Sequence, residues 1–309
     1  MTAPWYALAS YAAGDEIRSA LVLGEALYDL AAIADGAGAS DALKRRIGSV
    51  DILVRDWEGV KDELATLAAW ARGAQLDPVA ATPLAPFAPH RVFGAASNYI
   101  EHAEEMATKL AAKADSMPYI FLKTVDSVIG PDDTVFLPPE SKKVDWEVEL
   151  GVVIGRAGRR IPVEQAHAHI AGYVIVNDIS ARDMTRRSDF PFSHDWFRGK
   201  SFDSFTPMGP WFVPAECIDD LHDLKLTLSV NGEVMQDGNS GEMIFNTYEQ
   251  IAYLSMLLTL KPGDVIATGT PAGVGMGRGI FLKDGDQMVA TVEGIGTLAN
   301  PVRAERAEA

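Results

Sequence analysis

The sequence predicts a sheet-rich α+β protein that begins with a small mixed α/β segment. Three observations carry that prediction. Short runs of β-branched and aromatic residues follow one another, each cut by Gly, Pro or Asp, as strands separated by turns do. Few segments among those runs show helical spacing. The stretch from Asp77 to Pro89 holds prolines 78, 83, 86 and 89, which remove backbone donors and break periodicity, so it reads as a linker. At about 150 residues per domain, a chain of 309 residues holds one large or two ordinary domains. The expected division is a small N-terminal domain over 1–80 and a larger domain over 90–302.

Before the linker, Tyr6–Tyr11 and Ala20–Gly24 are expected as strands, and Leu27–Ala34 and Val60–Arg72 carry helical spacing. After it, Arg91–Ser97 is a short apolar run, and Tyr99–Lys113, rich in Ala and Glu, reads as a helix. Strands are expected at Tyr119–Lys123, Thr134–Leu137, Val144–Ile154, Tyr173–Asp178, Lys225–Val230, Asp264–Thr268 and Gln287–Val292. Pro162–Ile170 is expected as a helix, because proline suits the first helical position and Gly172 stops it. Asn246–Thr259 predicts a longer helix with one apolar face. Asn231-Gly232, between two strand-like runs, predicts a tight hairpin.

Composition narrows the function. Lys plus Arg total 27 against 43 acids, a net charge of −16 that repels phosphate backbones and anionic lipid surfaces. Nucleic acid and membrane partners are therefore not expected. A small anionic substrate stays open, because a bound metal ion reverses the local field. Cys217 is the only cysteine, so no internal disulfide and no multi-cysteine zinc site can form, and a reducing cytoplasm fits. The opening residues Met1–Tyr6 lack the basic-then-apolar pattern of a secretory signal. The apolar stretch Ile251–Leu260 is too short to span a bilayer. The expectation is a cytoplasmic protein.

Carboxylates give the strongest chemical signal. In Asp145-Trp-Glu147-Val-Glu149-Leu150, a strand would set the three acids on one face, with neighbours about 6.6 Å apart. Alone, that alternation reads more simply as a solvated edge strand. The run continues as Gly151–Ile154, apolar on both faces, and glutamates in a covered strand need a partner or a cation. Asp178 stands just past a second buried run, Tyr173–Val176. Three carboxylates are hard oxygen ligands, suited to Mg²⁺, Mn²⁺ or Ca²⁺ rather than zinc. His102 and Glu105 are three apart on the expected helix, so the acid can orient the imidazole; a solvated charged helix is the alternative. Lys123 and Lys200 either add charge that stabilises an enolate or snorkel to solvent. The glycine-rich Thr268–Gly275 lacks a nucleotide phosphate-loop pattern but offers backbone N–H groups and the Thr270 hydroxyl to a carboxylate. His167 and His169 are expected on different helix faces, away from any site. The loop Arg186–Arg198, with Phe190, Phe192, His194 and Trp196, is expected to border and close a pocket.

Together, six segments in order resemble the fumarylacetoacetate hydrolase superfamily over roughly residues 90–302. They are Ser97-Asn-Tyr-x-x-His102-Ala-x-Glu105, Phe121-Leu-Lys123, Asp145-x-Glu147-x-Glu149-Leu, Asn177-Asp-Ile-Ser-Ala-Arg-Asp183, Gly199-Lys-Ser-Phe-Asp203 and Gly269-Thr-Pro-x-Gly-Val-Gly275. The resemblance implies a mixed β-sandwich roll around a divalent metal, Mg²⁺ or else Mn²⁺ or Ca²⁺, and a homodimer. It implies Glu147, Glu149 and Asp178 as metal ligands, His102 and Glu105 as the dyad that activates water on a lid helix, and Lys200 as the catalytic lysine. Lys123, Arg182 and Thr270 would line the pocket and hold the substrate's oxo-acid end. Relatives often carry glutamine where this chain has Thr185. The activity implied is hydrolysis of a C–C bond in an acylpyruvate-type 2,4-dioxo acid, releasing pyruvate or a related oxo-acid, in carbon catabolism. The alternative is a decarboxylase or isomerase of a 2-oxo dicarboxylate.

Overall fold

A computed structural model describes residues 4–106 and 109–306. Among them, the longest sheet runs, edge to edge, through Ala26–Asp29, Glu16–Leu23, Ala7–Ala13, Thr206–Pro214, Ile170–Asn177, Val148–Ile154, Asp264–Ala267, Arg91–Ala96 and Tyr119–Lys123. A short strand, Val128–Ile129, pairs parallel with Thr206–Pro214. A five-stranded sheet holds Glu233–Asn239, Lys225–Val230, Gln287–Val292, Gly296–Ala304 and Val135–Leu137. Both sheets are open and mix parallel with antiparallel pairing. The fold is the sheet-rich α+β class the sequence predicts, without a closed barrel.

The run Gly151–Ile154, apolar on both faces at the end of the strand Val148–Ile154, has a direct packing cause. Val148, Leu150, Val152 and Ile154 point into a core shared with Leu226, Leu228, Met288 and Leu298 of the second sheet. Val153, with Val174, Val176 and Val265 of its neighbours, points the other way, against Leu30, Ile33, Leu53, Trp57 and Leu64 of the N-terminal helices. A strand buried on both faces has no polar side to show. Each fully buried aliphatic side chain contributes roughly 1.5–3 kcal/mol.

The segment expected as the domain 1–80 adds three strands to the edge of the long sheet, through Leu8↔Phe212, and its helices cover one sheet face. Trp57, at the start of the helix Trp57–Ala71, meets Phe212 edge-on at 5.1 Å. Strand Ala26–Asp29 takes the first residues of the helix expected at Leu27–Ala34; Asp29 then caps Leu30–Gly36 by accepting from Ala32 N. Asn231 and Gly232, with φ 53° and 82°, make the expected hairpin turn.

Three further expected elements differ. Pro162–Ile170 forms 3₁₀ turns at Val163–His169, a short connection between two antiparallel strands. The helix expected at Tyr99–Lys113 spans Ile100–Glu105, where Met106 leaves helical geometry; residues 107 and 108 lie outside the described residues. The run Val144–Ile154 is broken at Trp146 and Glu147: Val144–Asp145 pairs with Ser180–Ala181 instead. Among the described residues, no helix is long and apolar enough to cross a membrane.

Candidate active site

The site lies at the end of the long sheet where Arg91–Ala96, Ile170–Asn177 and Asp264–Ala267 finish and Val148–Ile154 begins. The register Asn177↔Val148 sets Glu147, Glu149 and Asp178 side by side. Backbone and amide bonds fix them: Asp178 N donates to Glu147 O at 2.8 Å, and Glu147 N donates to Asn177 Oδ1 at 3.0 Å. One oxygen from each of the three carboxylates lies within 4.8 Å of the others, and all three residues are buried.

Two of these carboxylates have cationic partners. Lys200 Nζ donates to Glu147 Oε2 at 2.5 Å and to Asp178 Oδ2 at 2.7 Å. Lys123 Nζ donates to the other Asp178 oxygen and to Ile179 O. Arg182 donates from Nη2 to Glu147 Oε1 at 2.6 Å. Glu149 accepts only from Gly269 N, at 2.8 Å, and no cation of the described residues lies within 4.0 Å of it. Burial, then the nearby Asp178 and Glu147 charges, push the Glu149 carboxyl well above the ordinary range. Burial also opposes ionisation of Glu147, but Arg182 and Lys200 outweigh it and hold that carboxyl low. Burial drives Lys123 below the usual lysine range, whereas at Lys200 the burial effect is outweighed by Asp178 and Glu147, which raise it.

Asp145 departs from the face expected for it. Because the strand breaks at Trp146 and Glu147, its carboxylate turns to Arg182 Nε at 2.8 Å and to the backbone N–H groups of Gly275 and Met276 at 2.6 and 3.0 Å. It is therefore a support for Arg182 and for the glycine-rich loop. That loop leads into a short helix, Gly275–Arg278, where sequence suggested none. Gly273 sits at φ +104°, and a Cβ there would lie 2.1 Å from Met235 O, so only glycine passes.

His102 is buried, with Nε2 4.0 Å from Glu147 Oε1 and Nδ1 3.5 Å from Glu105 Oε2, the latter without hydrogen-bond alignment. Glu105 accepts Gly273 N through both oxygens at 3.1 Å, which ties the Ile100–Glu105 helix to the glycine loop. Burial would raise the Glu105 carboxyl, yet His102 and the Gly273 N–H lower it overall. The Thr270 hydroxyl donates to Val148 O and accepts from Gln236 Nε2, both at 2.8 Å, and Gln236 Oε1 accepts Val148 N. Gln236 belongs to the second sheet, and no local sequence signal marks it.

A cavity of about 380 Å³ opens over this cluster, and its wall includes His102, Glu147, Glu149, Arg182, Lys200 and Thr270. Lys123, Asp178 and Glu105 stand behind the wall. Arg186, His194 and Trp196 of the expected lid loop are on the wall, with Trp196 stacked on Phe121 at 5.2 Å, while Phe190 and Phe192 face solvent. His167 and His169 lie outside it, as expected. The donor set fits a hard divalent cation. Three oxygens converge, and Glu149 is a buried carboxylate lacking the counter-charge that such an ion would bring.

Residues 91–303 match the family model described as fumarylacetoacetate (FAA) hydrolase C-terminal. The human mitochondrial oxaloacetate tautomerase FAHD2A is 44% identical over 224 residues, covering 72% of this chain and 69% of that protein. The solved fumarylacetoacetate hydrolase of Exiguobacterium antarcticum is 30% identical with a TM-score of 0.77, over 97% of this chain and 100% of the other. A maleylpyruvate hydrolase from Sphingobium sp. SYK-6, solved with manganese(II) and pyruvate, is 28% identical with a TM-score of 0.74 and the same coverage.

Proposed function

The chain belongs to the fumarylacetoacetate hydrolase family, and from that premise we propose that it is a divalent-metal-dependent enzyme that interconverts the keto and enol forms of a 2-oxo dicarboxylate such as oxaloacetate. One observation carries the reading: three carboxylates converge, and two of them, Glu147 and Glu149, line one small cavity with a buried histidine. Glu147, Glu149 and Asp178 would hold Mg²⁺ or Mn²⁺. When bound, such an ion supplies Lewis-acid charge against the negative charge that develops on the substrate's 2-oxo oxygen.

The protein's own groups do the rest. His102 takes a proton from the carbon beside the oxo group and returns it to the oxygen, so no atom is gained or lost. The Glu105 charge, 3.5 Å from Nδ1, favours a proton on that nitrogen, which leaves Nε2 as the base. The Lys200 ammonium adds fixed positive charge where negative charge grows. Arg182 has Nε and Nη2 committed to Asp145 and Glu147, and its Nη1, which makes no hydrogen bond among the described residues, is available for the substrate's carboxylate. Thr270, whose hydroxyl hydrogen is engaged by Val148 O, acts through its oxygen and by shaping the wall. Lys123 acts from behind, by fixing Asp178.

A second reading keeps the hydrolysis of an acylpyruvate-type 2,4-dioxo acid. The His102–Glu105 pair favours it, since the same base can draw a proton from water, and the relative solved with manganese and pyruvate is a hydrolase. Purified protein with Mg²⁺ or Mn²⁺ separates the readings. Tautomerisation predicts faster loss of the oxaloacetate enol absorbance without release of CO₂ or pyruvate. Pyruvate and a second acid from acylpyruvates, with no acceleration of the enol step, would replace it with hydrolysis; CO₂ release would make the enzyme a decarboxylase. A homodimer in a cytoplasmic setting remains the expected assembly, checked by light scattering and fractionation.

A further inference from the structure

We propose that Arg186 reads a second carboxylate at the outer end of the cavity and so selects 2-oxo dicarboxylates over 2-oxo monocarboxylates. The inference rests on the reading of the cavity as a 2-oxo acid site, and it assigns a specificity role to a residue outside the metal and base cluster.

The neighbouring arginines Arg186 and Arg187 have opposite fates. Arg187 is neutralised within its own hairpin, by Asp189 at 2.8 Å and Asp195 at 3.2 Å. Arg186 has no carboxylate within 4.0 Å among the described residues, yet it lines the cavity. Its direction is set by the backbone. Arg186 and His194 face each other across an antiparallel bridge, so their side chains project from the same side of the hairpin, and both are on the cavity wall.

Charge balance explains what such a cation would meet. At the inner end, Lys123, Lys200 and Arg182 are each paired with a carboxylate of the cluster. Five carboxylates, Asp145, Glu147, Glu149, Asp178 and Glu105, thus face three cations, two negative charges in excess. A divalent cation only balances that excess, and the first carboxylate of a 2-oxo acid takes the place on it. A second carboxylate finds no free counter-charge at the inner end. In a chain of net charge −16 the general field repels it, and Arg186 is the unpaired cation on the wall that can receive it.

Oxaloacetate and 2-oxobutyrate test this, because they differ only by a carboxylate in place of a terminal methyl group. Calorimetric titration of the Mn²⁺-loaded protein gives the ratio of their dissociation constants. Arg186→Gln is expected to weaken oxaloacetate binding roughly 10- to 100-fold, the effect of one lost charge-assisted hydrogen bond, and to leave 2-oxobutyrate within about twofold. Arg186→Lys, which keeps the charge but not the fork, should fall between. Equal weakening of both ligands, or of neither, overturns the role of Arg186. The enol assay on the unsubstituted protein is independent: failure there removes the tautomerase reading, while the ratio of dissociation constants still decides what Arg186 recognises.

Discussion

Where the strand Asp264–Ala267 begins, one buried carboxylate meets one guanidinium; where it ends, five carboxylates meet three cations. At the first end, Asp264 is fully buried and takes Arg91 in a two-point grip, Nε at 2.8 Å and Nη2 at 2.5 Å, with Lys261 N completing its shell. Both charges there are paired. At the other end, Glu149 is equally buried, holds a single backbone N–H, and is pushed up by burial and by its acidic neighbours. The difference teaches how to tell a structural ion pair from a binding site in one sheet. Both are buried and charged, but only the second carries an imbalance that an external ligand must correct.

The comparison can be broken at Glu149. Glu149→Gln should lower activity on the order of 10³-fold, as expected from losing several kcal/mol of charge stabilisation in the reaction, and should weaken Mn²⁺ binding in parallel. Metal-free thermal stability should hold or rise, because a buried group that resists ionisation is replaced by a neutral isostere. A fall in metal-free stability with metal affinity intact would make Glu149 a structural residue like Asp264. The opposite pattern is expected for Asp264→Asn: a loss of about 2 kcal/mol, below the usual 3–5 for a buried pair because Arg91 is 28% exposed, with kcat of the folded protein unchanged. Denaturant titration and steady-state rates read both.

The legible parts of the site were those written in local periodicity. Glu147 and Glu149 keep their alternation, Asp178 ends a buried strand, and His102 and Glu105 meet one turn apart on a real helix. Long-range register was not legible. Asp145 turns away because the strand breaks at Trp146 and Glu147, a change with no mark in neighbouring residues. Gln236 meets Val148 from 88 positions away, across two sheets. Lys123 closes an apolar strand as expected, but only the packing of that strand against Asp178 shows that it stands behind the wall. The N-terminal segment reads locally as strands and helices, while its union with the long sheet depends on the distant pair Leu8↔Phe212.

The smallest expected effect extends the comparison to that N-terminal edge, where Asp29 is shifted in the opposite direction to Glu149. Asp29 accepts the Tyr11 hydroxyl at 2.5 Å, caps a helix through Ala32 N at 2.9 Å, and has Arg18 at 3.5 Å. Burial works against its ionisation, but the Tyr11 hydroxyl and the Ala32 N–H outweigh it and lower its pKa. A carboxyl held lower in the folded than in the unfolded chain contributes stability above the unfolded value of about 3.9, and that contribution fades as pH falls through the folded value. Asp29→Ala should therefore cost about 1 kcal/mol at neutral pH, the usual worth of a helix cap. The gap between the two proteins should narrow in acid, and melts at pH 7 and in the acid range measure it directly. A gap that stays constant would assign the loss to packing against Tyr11 rather than to charge, and Asp29 would then no longer serve as the satisfied counterpart of Glu149.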